Sequence, residues 1–159
     1  MASTPTKTIL TRSEDWEPWY KDLKANVSSE IWPYINPEGQ QRALLQQPPR
    51  PEPADFDGTS MTYAQLSAAH QQAYENARRF YNQDRKDYAH QQDQLDMARA
   101  YIAVSVSCLK KASLDSNQLV RQWLESLKKD MKPPKSYMIT HMKNQYIKTM
   151  RSFKPNKLS

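Results

Sequence analysis

The side chains of this sequence that could do chemistry are few: three histidines (His70, His90, His141), one cysteine (Cys108) and a closely spaced carboxylate pair, Asp93 and Asp96. A metal centre needs His, Cys or carboxylate ligands at spacings that let them converge. These histidines stand far apart with no partner at such a spacing, so His141 and the others read as ordinary side chains. Cys108 falls on or beside an apolar stripe, which predicts a buried, inert thiol rather than a nucleophile. Asp93 and Asp96 share the solvated side of a helix and read as surface charge, not as an acid–base pair. Only two glycines occur, Gly39 and Gly58, and this excludes the Gly-rich loops that cradle phosphates. The sequence therefore predicts no enzyme, no catalytic residue, no cofactor, no metal and no small-molecule substrate.

What remains is electrostatic. The 159 residues carry 23 Lys and Arg against 17 Asp and Glu, a net charge of +6. Nine of those cations lie in residues 128–159 against Asp130 alone, giving 9 − 1 = +8; the rest of the chain holds 14 positive and 16 negative groups, or −2. Such an asymmetry marks a phosphate-binding region, with a solvated Lys-rich helix end as the plain alternative. The nucleic-acid-binding candidates are Lys143, Lys148, Arg151, Lys154 and Lys157, which would grip phosphates with little base preference. Trp16, Trp19 and Trp123 fall at core positions of amphipathic helices, so they are expected to pack rather than stack on bases.

These groups must be positioned by helices. No alternating β-branched run appears, and the expected fold class is all-α: a small, capsid-like bundle of about five helices with one long or bent central helix. Residues 1–12 are expected to be loose. In 13–35, Trp16, Trp19, Tyr20, Leu23 and Val27 share a helical face, with Asp15 as cap and Pro18 in the first turn; Ile31, Trp32, Tyr34 and Ile35 form a second cluster. Residues 36–61 contain five prolines and both glycines and read as a linker or surface loop. A helical core is expected over 62–154, and a basic tail over 155–159.

From Thr62 to Lys132 there is no Gly or Pro. Thr62 and Gln65 form a capping-box pattern. Leu66, Ala69, Ala73, Ala77, Phe80 or Tyr81, and Asp84 or Tyr88 then recur at helical intervals, and Leu95, Ala98, Ile102, Val106 and Leu109 carry the stripe onward. Two readings stand: a pair of helices breaking near 88–94, or one rod over about 63–110 whose polar first half packs on another subunit. The rod reading makes Ala69, Ala73, Ala77, Phe80 and Tyr81 an oligomer interface, at least dimeric. A helix over about 117–131, capped by Asp115 or Ser116 and striped by Leu119, Val120, Trp123, Leu124 and Leu127, is stopped by Pro133 and Pro134. A last helix over about 137–152 sets Ile139, Met142, Tyr146 and Met150 on one face. No apolar stretch nears the ~20 residues of a membrane span, so no membrane partner is expected. The lone cysteine fits a reducing compartment, read here as cytoplasmic.

The order of these elements resembles the N-terminal, capsid portion of the Gag polyprotein of copia-type LTR retrotransposons, fungal members in particular. The resemblance spans residues 9–150. It rests on Trp16, Trp19 and Leu23, then Ile31-Trp32-Pro33-Tyr34-Ile35-Asn36-Pro37, a Pro-rich interval, a long polar helix reaching Ile102, Val104 and Val106, and Val120-Arg121-Gln122-Trp123-Leu124 with Leu127 and Tyr146. It implies a structural domain that self-assembles into a shell around transposon RNA. The chain differs from a complete Gag in having no zinc knuckle and no protease or integrase signature, and it stops shortly after Tyr146, as a truncated or domesticated relative would. The rival expectation is a soluble helical adaptor or chromatin-associated binding module.

Overall fold

The computed structural model describes residues 7–152. Among them the chain is all-α, with six α-helices and no strand. The helices are α1 (Trp16–Asn26), α2 (Trp32–Ile35), α3 (Ala68–Ser105), α4 (Cys108–Lys111), α5 (Val120–Met131) and α6 (Lys135–Ser152).

The core forms where α1, α2 and α5 meet the C-terminal half of α3. Trp16, Trp19 and Leu23 enter from α1, Leu95, Ala98 and Ile102 from α3, and Val120, Trp123, Leu124, Leu127 and Met131 from α5. Each set repeats at three to four residues, which is why a single stripe of each helix is dry. Trp32 packs at the edge of this core, half-buried, with its ring 5.4 Å from Tyr20.

The starts of the helices differ from the expected caps. Asp15 acts one turn early: its carboxylate accepts the amides of Thr11 and Arg12 (3.2 and 2.9 Å) and closes a 3-10 turn over Ser13–Asp15 before α1. Thr62 and Gln65 do form their capping box, but on a 3-10 turn, Tyr63–Gln65. The long helix starts at Ala68, where the Ser67 hydroxyl accepts the His70 amide (3.3 Å). α5 starts at Val120, later than expected, so that Leu119, expected on the apolar stripe, caps the helix at 44% exposure, its amide donating to the Gln122 side chain at 2.8 Å.

Of the two readings of the central region, the unbroken helix holds: α3 is 38 residues long, about 57 Å at 1.5 Å per residue. It stops at Ser105, short of 110, because the chain there meets the N-terminal segment. The Leu10 amide donates to the Ser105 carbonyl (2.7 Å), the Ser107 amide donates to the Leu10 carbonyl (3.0 Å), and Leu10 and Val106 form a parallel bridge. Leu10 is fully buried, so residues 7–12 are anchored to the core rather than loose. Beyond the bridge the stripe fails: Leu109 is 88% exposed and Cys108 is exposed. The expectation of a buried thiol is thus corrected, since Cys108 opens α4 instead of continuing α3.

The Pro-rich segment lies along the polar half of α3, running in the opposite direction. The Leu45 amide donates to Gln91 (2.8 Å), Arg50 and Pro51 lie beside Tyr81, and Phe56 meets Tyr74 edge-on at 5.9 Å. Tyr63 also packs on Tyr74 (5.7 Å) and donates to the Glu75 carboxylate. Prolines suit this path because an extended chain with few free amides needs no ladder partner. Arg121 fastens its start, donating to the carbonyls of Asn36 (2.9 Å) and Gly39 (2.8 Å).

Candidate functional site

The Pro133-Pro134 pair sets the geometry of the basic region. Neither proline donates an amide, and Lys132 ahead of them is extended (φ −67°, ψ 118°), so α5 cannot continue. A new helix, α6, starts at Lys135 and none of its residues is buried. Ile139, Met142, Tyr146 and Met150 share one face, as spacing predicts, and all four are more than half exposed. His141 stacks on Tyr137 at 6.0 Å and, among the described residues, has no metal-ligand partner.

Lys135, Lys143, Lys148 and Arg151 are the charges of α6, which contains no acidic residue. Among the described residues Lys143, Lys148 and Arg151 form no ion pair. Lys154 and Lys157 lie outside the described residues. The cations at the end of α5 are different. Lys132 and Lys128 both reach Glu38 (2.8 and 3.7 Å), so part of the +8 carried by the last fifth of the chain is neutralised by an acid from the Pro-rich side. The hydrogen bond from Lys132 holds the Glu38 carboxyl below its usual range, and the same bond raises the Lys132 ammonium.

The proposed oligomer-interface residues divide in two. Ala73, Ala77 and Tyr81 are half-buried, on the stretch of α3 along which the Pro-rich segment runs. Ala69 and Phe80 are exposed, Phe80 to 71%. Part of the cover that this half of α3 was expected to take from another subunit therefore comes from the same chain.

Tyr20 is the most strongly perturbed acid of the fold: burial, then the carboxylates of Glu38 and Glu17, pushes its phenol up to about 12. It donates to Asn36 (2.8 Å) and acts as a fixed neutral donor at neutral pH. His90 meets Glu30 at 3.1 Å, on the surface. The hydroxyls of Thr59 and Ser60 donate to the Asp57 carboxylate at 2.8 and 3.0 Å, and among the described residues no three His, Cys, Asp or Glu side chains converge as metal ligands.

Sequence reasoning missed a second concentration of positive charge. Arg78 and Arg85 of α3 and Arg50 of the Pro-rich segment line a cleft of about 310 Å³ with Tyr74, Tyr81 and Asn82. Among the described residues no carboxylate lines it. The available signal was the spacing 78, 81, 82, 85, which is one helical face; summing charge over the whole first four-fifths of the chain hid it beneath a total of −2.

Among the described residues, fold and surfaces together define an all-α chain with one packed core, a long helix half-clad by its own Pro-rich segment, and a basic helix, α6, with no buried residue. Compared with protein-family models, curated proteins and solved structures, the chain matches none.

Proposed function

We propose that the chain is a non-enzymatic, self-assembling structural domain of the retrotransposon Gag type, or a domesticated derivative, in which α6 binds other copies and RNA. The observation that carries this reading is α6 itself. A helix of 18 residues with four cations, no acid and no buried side chain adds nothing to the core and leaves apolar side chains in water. Docking on another macromolecule would account for both features. The face of Ile139, Met142, Tyr146 and Met150 suits helix-to-helix packing; Lys143 borders it beside Met142 and Tyr146, while Lys148 and Arg151 lie off that face, and the three cations suit phosphates. The order of aromatic, Pro-rich and helical segments that resembles copia-type Gag supports a structural role. A helical adaptor is the second reading, favoured by the same apolar face, which a groove on an unrelated protein would also cover.

Filter binding of single-stranded RNA at low salt tests the nucleic-acid part of this reading. Exchange of Lys143, Lys148 and Arg151 for Glu should remove most of the affinity and flatten its salt dependence, with the helical circular dichroism retained. Equal affinity before and after exchange would refute RNA binding by α6.

A further inference from the structure

Arg50, Arg78 and Arg85 converge on one cleft from segments far apart in sequence, and among the described residues none of the three makes an ion pair or side-chain hydrogen bond. Like charges gathered without a counter-charge repel one another, so the arrangement favours a bound anion. Guanidinium groups present planar forks that match phosphate oxygens, where an ammonium would be only a point charge. Two tyrosines share the cleft. Tyr74 is held between Phe56 and Tyr63 (5.9 and 5.7 Å), and so its ring is already engaged. Tyr81, two turns on, is half-buried beside Arg50 and Pro51 and has no aromatic partner among the described residues, so the part of its ring that the Pro-rich segment leaves uncovered can meet a base. Asn82 beside it carries both a donor and an acceptor. A volume of about 310 Å³ is at the lower end of small-ligand sites, the size of a nucleotide-scale group rather than a large cofactor.

We propose that this cleft binds a single-stranded nucleic-acid segment, with the arginines on its phosphates and a base stacked on Tyr81. The site is separate from α6. It rests on the proposed RNA binding only for the class of ligand. Arg78 and Arg85 stand seven residues apart on α3, ~10.5 Å along its axis, which spaces them for different phosphates of one strand. Pro51 keeps the segment bearing Arg50 extended beside the helix.

The test is fluorescence anisotropy of a labelled hexauridylate with the full chain at low salt. Arg78→Glu with Arg85→Glu should weaken binding at least roughly tenfold and lower the salt slope by about 0.7 for each phosphate no longer neutralised. Arg78→Gln with Arg85→Gln, which adds no new charge, should act in the same direction; thermal melting checks that each variant folds. Tyr81→Ala should also weaken binding about tenfold, and Tyr81→Phe, which keeps the ring, should restore it. The α6 exchange of Lys143, Lys148 and Arg151 should leave the Tyr81 effect in place, so failure of the cleft and failure of RNA binding by α6 are read separately. Affinity unchanged by the folded arginine variants, or no effect of Tyr81→Ala, would overturn the proposal. Uridine monophosphate competing as well as the hexamer would reassign the cleft to a free nucleotide, and inorganic phosphate competing equally would reduce it to an anion site; either result overturns the strand assignment.

Discussion

Trp19 and Ser105 allow the packing of α1 on α3 to be measured as one bond. Both side chains are wholly buried. The indole Nε1–H donates to the Ser105 hydroxyl at 2.9 Å, and that hydroxyl donates onward to the Tyr101 carbonyl at 2.7 Å. Ser105→Ala leaves the indole N–H without an acceptor in a dry interior, a loss of about 1–3 kcal/mol. Trp19→Phe keeps much of the ring volume but leaves a void where the second ring lay, costing on the order of 1–3 kcal/mol, against about 3–5 for Trp19→Ala. With Trp19→Phe already made, Ser105→Ala strands no donor. The double variant should therefore be more stable, by about 1 kcal/mol or more, than the sum of the single losses implies. Urea unfolding of the four proteins at constant m-value reads this directly. Costs that add within about 0.3 kcal/mol would show that the bond does not couple the two helices, and the account of this crossing would be wrong.

Arg121→Ala should release the start of the Pro-rich segment from α5 and cost about 1–3 kcal/mol, since two carbonyls lose a charged donor; Arg121→Lys, which lacks the fork, should recover only part, and hydrogen exchange of residues 36–45 should rise in both. Glu38 titrates below the ordinary glutamate range because Lys132 bonds its ionised form. Its contribution is thus present above the unfolded value and lost as pH falls through the folded one. At 42% side-chain exposure screening keeps that contribution under about 1 kcal/mol. Melting curves between about pH 6 and pH 3 should show a slightly shallower acid loss for Glu38→Gln than for the natural chain; identical slopes would discount the pair. At dilutions where the chain is monomeric, Met142→Lys with Tyr146→Lys should leave the melting temperature within experimental scatter, because both side chains are about two-thirds exposed, and a clear drop there would place α6 on the core after all.

The parts of the fold legible in the sequence are those written as a period. Trp16, Trp19 and Leu23, then Leu95, Ala98 and Ile102, then Val120, Trp123, Leu124 and Leu127 repeat at helical spacing, and every one of them is buried. Leu10 is not legible in this way, because one apolar residue in a polar segment has no period, and its burial depends on a bridge to Val106, distant in sequence. Leu109 continues the stripe on paper, but a period says nothing about where a neighbouring segment captures the last carbonyl and ends the helix. The course of residues 40–52 along α3 is equally hidden, since proline-rich composition fixes an extended shape and not what that shape lies against. For the candidate surfaces, the charge of α6 can be read directly. The pairing of Lys128 and Lys132 with Glu38 cannot, and neither can the meeting of Arg50 with Arg78 and Arg85, because both are set by tertiary proximity.

Self-association is the claim on which the structural reading stands, and sedimentation velocity of the full chain over a wide concentration range tests it most directly. The account predicts concentration-dependent species heavier than the 18.6 kDa chain, reduced by Met142→Lys with Tyr146→Lys while the fold is kept. A single species of monomer mass at the highest concentration reached, with and without RNA, would contradict it.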